Sequence, residues 1–372
     1  MTTFKELGIR KDFVTSLKEL GIVKPTAIQE ETIPILLKKP TDFIGLAQTG
    51  TGKTAAYGLP ILEDIDADVP LVQALILSPT RELVQQIKKQ LFKFTKYAPE
   101  KIFVEAVYGG EKIDKQISNL KRPTHIIVAT PGRLIDLIER KSINLRNIKT
   151  IVLDEADEML SMGFKKELTS VLKYTYGQRK IWLFSATFPE EIQGIVKTYM
   201  TGDIQRISVN RNSLVNADIT HQYGLTSIQE KLPKLIHLLE RKGDQRGIIF
   251  SKTKLGAQKL ALELKEAGFS VAALEGDMLQ KERDKVMRAF KNESLQFLVS
   301  TDVSARGIDV QGLGFIIHHQ LPEKLEYYTH RSGRTARAGN KGVSIALILP
   351  SELQQVYAIQ KELGIKFEEI SL

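Results

Sequence analysis

Residues 43–54 read FIGLAQTGTGKT, an apolar run that breaks into a glycine-rich turn and closes on Lys53 and Thr54, with an apolar, helix-periodic stretch behind it. A short apolar run bounded by glycine fits a buried strand. The glycines let backbone N–H groups close around phosphates at the start of a helix, whose dipole favours anions. Gln48, Thr49, Gly50, Thr51 and Gly52 make up the turn, Lys53 can reach β/γ-phosphates, and the Thr54 hydroxyl can ligand Mg²⁺. Ala47 stands where the general phosphate-loop pattern has its first glycine. A strand handing over to a helix in this way is half of a βαβ unit and so predicts a parallel sheet.

The same alternation recurs outward along the chain. Short β-branched, apolar runs fall at 43–47, 74–77, 102–107, 125–129, 150–153 and 181–184, and again at 247–250, 271–274, 297–300, 315–317 and 344–349. Helical stretches lie between them; in 82–96, for example, Leu83, Ile87, Leu91 and Phe94 share one face. Pro189, followed by Glu190 and Glu191, suits the first turn of a helix. Eleven strands exceed one small domain. The expectation is an α/β chain of two tandem domains, 1–209 and 218–372, each a parallel sheet flanked by helices, joined by a polar linker at 210–217. The unusual sequences cluster where the strands end, which is where open α/β sheets bind ligands.

Two further clusters carry chemistry. The run at 150–153 ends in Asp154-Glu155-Ala156-Asp157. Asp154 can hold a metal ion through its water shell, and Glu155 can orient and deprotonate an attacking water. Without a phosphate loop upstream, the same acids would be read as complements to a helix N-terminus. His330-Arg331-Ser332-Gly333-Arg334-Thr335-Ala336-Arg337 spaces three arginines by three among small residues. Arg334 and Arg337 can spread charge on a γ-phosphate in the transition state.

Composition sets the limits. The 372 residues are 42% hydrophobic and 26% charged, ordinary for a chain that buries full cores, and contain no cysteine, which excludes disulfides and thiolate zinc sites. No signal-peptide pattern opens the chain, and no apolar run nears the ~20 residues of a membrane helix, so a cytoplasmic location is expected. The net charge of +9 is shared by both halves and suits a polyanion partner.

Taken in order, these motifs resemble the DEAD-box RNA helicases, whose cores are two tandem RecA-like domains. The resemblance covers essentially the whole chain and implies little more than that core. Phe4, with Lys24, Thr26 and Gln29 in 21–29, resembles the family's Q motif, in which the aromatic stacks on adenine and the glutamine reads its edge. Ser185 and Thr187 of Ser185-Ala186-Thr187, with His330, resemble elements coupling ATP hydrolysis to strand separation, and Asp309 is implied near the nucleotide. The implied RNA contacts are Pro79, Thr80, Arg81, Gly109, Gly110, Thr130, Pro131 and Arg133 in the first domain. In the second they are Thr253, Gln280, Arg283, Thr301, Asp302 and Arg306. Hydroxyls, backbone N–H groups and arginines bind phosphate and sugar without reading bases.

The expected substrates and cofactors are therefore ATP, Mg²⁺, and single-stranded or short duplex RNA, bound by a monomeric core. An ATP-gated RNA clamp within a larger particle would carry the same residues, and a DNA translocase is the other alternative. Glu275 places an acid where RNA is expected to pass, Lys252 replaces an asparagine, and His318-His319 replace Asn-Tyr; the histidines read as strand-end packing, since no metal-ligand spacing accompanies them. Trp182 reads as core.

Overall fold

The computed structural model describes residues 2–38, 41–48, 50–175, 177, 179–209, 218–305, 310, 312–336 and 340–372. Thr49, Arg306, Asp309, Arg337 and the expected linker at 210–217 lie outside them. The chain divides into two compact units, Met1–Val209 and Asn210–Leu372.

The first unit contains β1 (Phe43–Leu46), β2 (Ala74–Leu77), β3 (Val104–Val107), β4 (Ile126–Ala129), β5 (Thr150–Asp154), β6 (Lys180–Ser185) and β7 (Gln205–Ser208). They form one sheet, in the order β3-β4-β2-β5-β6-β1-β7, with every pair parallel. The inner strands are buried on both faces because successive side chains point to opposite sides. Ile76, Val128, Val152, Trp182 and Phe184 enter the core under one layer of helices. Leu75, Leu77, Ile127, Ile151, Leu153 and Leu183 enter the other.

The second unit contains β8 (Ile219–Leu225), β9 (Arg246–Phe250), β10 (Val271–Leu274), β11 (Phe297–Ser300), β12 (Leu313–His318), β13 (Gly342–Ile348) and β14 (Phe367–Glu369). Its parallel order, β10-β11-β9-β12-β13-β8-β14, repeats the first sheet strand for strand. No helix among the described residues is long and apolar enough to cross a membrane.

Three strands escape the sequence pattern. β7 and β14 close the edges of their sheets and carry one buried residue each, Ile207 and Phe367, so no apolar run marks them. β8 alternates Ile219, His221 and Tyr223 inward with exposed or half-buried residues between, which is the signature of a half-covered strand rather than a buried one. In the helix Arg81–Phe94, Val84 and not Leu83 joins Ile87, Leu91 and Phe94 in the core. Leu83 instead supplies the N–H that donates to the Thr80 hydroxyl capping the helix (3.3 Å). Trp182 is buried as expected, its indole N–H donating to Thr41 O (3.3 Å).

His318 and His319 are packing residues, as their lack of metal-ligand spacing suggests. The His318 ring stacks on Tyr328 at 4.7 Å, and its Nε2 meets Ser344 Oγ at 3.0 Å. Burial holds His318 well below the ordinary histidine range, helped by the Arg331 charge, and lowers His221 and His319 to about 4. These folded values lie below an unfolded value near ~6.5, so the unfolded chain binds more protons between them and stability falls as pH drops. Between about pH 6.5 and 5, His221 and His319 each remove roughly 1.5 kcal/mol, and His318 acts in the same direction. All three belong to the second unit, whereas the only tryptophan, Trp182, reports the first. Acidification should therefore lose helical circular dichroism before Trp182 fluorescence changes. Coincident transitions would mean the buried histidines do not govern acid stability.

Candidate nucleotide and nucleic-acid sites

The strands of the first unit end in the loops singled out from the sequence. β1 runs into Ala47, whose N–H donates to Ser185 O (3.0 Å), and the turn then uses Gly50 and Gly52 at φ of +82° and +92°. Gly52 is constrained twice: the left-handed backbone disfavours a side chain, and a Cβ there would lie 2.4 Å from Gln29 Nε2. It caps the helix Lys53–Asp64, giving its carbonyl to the N–H groups of Ala55 and Ala56. Lys53 is buried, with Nζ donating to Ala47 O at 2.9 Å. An ammonium has three donors, so the others remain for phosphate oxygens.

Gln29 braces this loop. Its Nε2 donates to Gly52 O (3.0 Å) and its Oε1 accepts from Thr26 N (2.9 Å), while Thr26 Oγ1 donates to Thr51 O (2.8 Å). One N–H and one oxygen lone pair of the amide are left for an adenine edge. Lys24 is exposed. Phe4 departs from expectation. It is buried in the apolar core of the unit, so the face assigned to stacking on adenine is covered in this structure.

β5 delivers the acids. Asp154 is buried at the strand end, where Oδ2 accepts from the Tyr57 hydroxyl (3.0 Å) and Oδ1 has no partner. Burial raises its pKa to about 6 against the opposing Lys53 charge, with Glu155 adding to the rise. Glu155 is also buried and sits at φ +52°, a left-handed conformation costing about 1–2 kcal/mol for a residue with a Cβ. Such strain gathers where a side chain must be aimed.

The residues fit a Mg²⁺ ion held with a nucleotide. Mg²⁺ takes one or two protein groups and completes its shell with water and phosphate oxygens. Asp154 Oδ1, a buried acceptor lacking a donor, and the Thr54 hydroxyl in the first turn of the helix are groups of that kind. Among the described residues no cluster of three His, Asp or Glu stands as a self-sufficient metal site.

In the first unit, two residues at the site were not singled out from the sequence. Tyr57 sits in an apolar helical stretch that reads as core, and its spacing of three from Thr54 is the signal that places both on one helix face. Asp157 clasps the next strand: Oδ2 accepts both the N–H and the hydroxyl of Thr187 (2.9 Å each), and its own N–H donates to Ser185 Oγ (3.2 Å). Ser185 and Thr187 are thereby tied to the acidic loop.

The remaining loops lie along the same rim. Thr80 and Thr130 open the helices Arg81–Phe94 and Pro131–Glu139 after β2 and β4, with Pro79 and Pro131 beside them. Gly109 and Gly110 are exposed after β3, Gly110 at φ +84°. The Arg81 guanidinium lies over the Tyr108 ring at 5.4 Å. Arg133 is turned inward, NH1 donating to Glu111 O and Gln116 Oε1 (3.0 Å each), so it shapes the segment after Gly109-Gly110 rather than offering those bonds to RNA.

In the second unit, Thr253 caps the helix Lys254–Glu266, its hydroxyl accepting from Gly256 N (3.0 Å). Gln280 opens the helix Gln280–Lys291 with its amide donating to Asp284 (2.7 Å), and Arg283 donates to Ser304 O (2.9 Å). Thr301 donates to Ser304 Oγ (3.2 Å). Asp302, read as an RNA ligand, has its carboxylate closed by Arg331 through Nε and NH2 at 2.5 and 2.7 Å, a buried arginine not singled out from the sequence as a site residue. Arg334 follows the helix Leu325–Ser332, its Nε donating to His330 O (3.2 Å). Glu275 is buried, accepting from Gln258 Nε2 (3.0 Å) and Asp277 N (2.6 Å). Lys252 pairs with Glu323 at 2.6 Å.

Comparison with known proteins agrees with this layout. The DEAD/DEAH box helicase model matches residues 26–195, and the helicase conserved C-terminal domain model matches 230–339. The ATP-dependent RNA helicase CshA of Limosilactobacillus reuteri is 41% identical over 358 residues, 96% of this chain and 71% of that protein. The DEAD-box ATP-dependent RNA helicase CshA of Geobacillus kaustophilus is 38% identical over 370 residues, 100% and 78% of the two chains. Among solved structures, S. cerevisiae Dbp5 bound to RNA and ADP BeF3 superposes with a TM-score of 0.91 at 31% identity, covering 100% of this chain and 96% of that one. With a phosphate loop and acidic quartet on one sheet, an arginine motif on its twin, and relatives matched over nearly its full length, the chain belongs to the DEAD-box family of ATP-dependent RNA helicases.

Proposed function

We propose that this chain separates short RNA duplexes locally, by ATP-driven closure of its two units on one RNA strand. The observation that carries the reading is the Asp157 clasp. It joins the nucleotide-side acids to Ser185 and Thr187 through three hydrogen bonds, so a change at the phosphates is felt at the next strand end. Lys53 and the loop N–H groups hold the β/γ-phosphates, Gln29 keeps the loop shaped around adenine, and Glu155 takes the proton of the attacking water. A bound Mg²⁺, held by Thr54 and Asp154, supplies positive charge to the phosphate oxygens. Arg334 and Arg337 meet the γ-phosphate on closure, which RNA binding favours.

Thr80, Thr130 and Thr253, each at a helix N-terminus, offer first-turn N–H groups to RNA phosphates. Contacts of this kind ignore base identity and bend one strand in a way a duplex does not accommodate. ATP turnover should rise on adding single-stranded RNA and respond little to base sequence. RNA affinity with an ATP analogue should fall with salt at a logarithmic slope of roughly −3 to −5, or about −0.7 per neutralised phosphate. Strong preference for one sequence would contradict the contact scheme, and stimulated hydrolysis without strand separation would point to a clamp.

A further inference from the structure

Tyr57 is fully buried on the first turns of the phosphate-loop helix, its ring packed against Phe184 at 5.2 Å. Its hydroxyl reaches across 97 residues of sequence. It donates to Asp154 Oδ2 at 3.0 Å. Asp154 is a cation ligand of the proposed nucleotide site, and the inference rests on that reading.

A carboxylate that holds a cation through water must present a fixed oxygen to it. The phenol donates a hydrogen bond to Asp154 Oδ2, and this leaves Oδ1, the oxygen without a partner, to receive hydrogen bonds from cation-bound water. We propose that Tyr57 is a positioning residue for Mg²⁺, a single hydroxyl that fixes the orientation of Asp154 without touching the ion. Such outer partners set the geometry of the groups that bind the metal, and losing one typically costs 10–100-fold in metal affinity.

A purely structural tyrosine would also seek a buried partner for its hydroxyl, so the test must separate the two roles. Tyr57→Phe keeps the ring packed on Phe184 and removes only the oxygen. Binding of a fluorescent ADP analogue to the full chain would be titrated against Mg²⁺, and repeated in EDTA. The expected result is a rise of about tenfold or more in the Mg²⁺ concentration at half effect, with metal-free nucleotide affinity unchanged. An unchanged Mg²⁺ dependence would overturn the proposal. So would an equal loss of nucleotide binding with and without metal, since that pattern belongs to a damaged loop. If the wild-type chain bound the nucleotide with no response to Mg²⁺, the reading of Thr54 and Asp154 as cation ligands would fail first.

Discussion

Arg334→Ala is expected to lower RNA-stimulated ATP turnover by about 10³-fold or more while nucleotide affinity changes little. The arginine is largely buried, and its Nε is held by His330 O, so the guanidinium is positioned before any nucleotide arrives. A preset cation stabilises charge as it develops and pays no reorganisation cost at that moment. An interaction made mainly in the transition state lowers turnover without lowering ground-state binding, and single-turnover hydrolysis beside equilibrium nucleotide binding separates the two. Arg334→Lys keeps the charge but loses the planar fork, so it should fall between wild type and alanine. Residues 1–209 alone, which lack the arginine motif, should hydrolyse as slowly as the alanine variant. Full RNA-stimulated turnover by that fragment would sink the shared-site mechanism.

Glu155→Gln should slow hydrolysis by about 10²–10⁴-fold, the usual worth of a general base, and leave ATP and RNA binding intact. The amide is nearly isosteric with the acid and keeps the left-handed backbone that aims it, but it accepts no proton. ATP should then hold the chain on RNA for far longer than in the wild type, measured as retention of a labelled strand after dilution. Hydrolysis at the wild-type rate would remove Glu155 from the role of water activator and leave its backbone strain unexplained.

Which of these residues were legible in the sequence follows from how each is constrained. Gly50, Gly52, Lys53 and Thr54 declare themselves because phosphate binding needs left-handed glycines, a cation and a hydroxyl within a few residues. The acids of 154–157 declare themselves by position, at the end of a buried strand. The inner strands were legible for a related reason: a strand covered on both faces has to be apolar throughout. β7, β8 and β14 are covered in part and left no such run.

What the sequence withheld are partnerships across long separations. Asp302 has the residue type of a polar ligand, and only the fold shows Arg331 closing its carboxylate from 29 residues away. Arg133 has the look of a phosphate contact, yet the segment at Glu111–Gln116 takes the donors of its NH1. Glu275 looked like an acid in the path of RNA and is buried, accepting from Gln258 in the preceding helix and from Asp277 N in its own turn. In each case a charged group met an internal partner that no local pattern encodes.

The identical strand order of the two sheets has a consequence of its own. Matching the sheets strand by strand pairs β1 with β8 and β5 with β12. The loop after β1 carries the glycines, whereas the five residues after β8, Thr226-Ser227-Ile228-Gln229-Glu230, include none, although the helix that follows also opens on a lysine, Lys231. Asp154 ends β5, while the equivalent end of β12 is His318, buried and neutral. The two sheets share one layout, and only the first carries the left-handed glycine turn and strand-end acid that the proposed nucleotide site uses. On the proposed reading, nucleotide should therefore titrate to one equivalent per chain rather than two, and a second equivalent would mean that the repeated frame carries a repeated site.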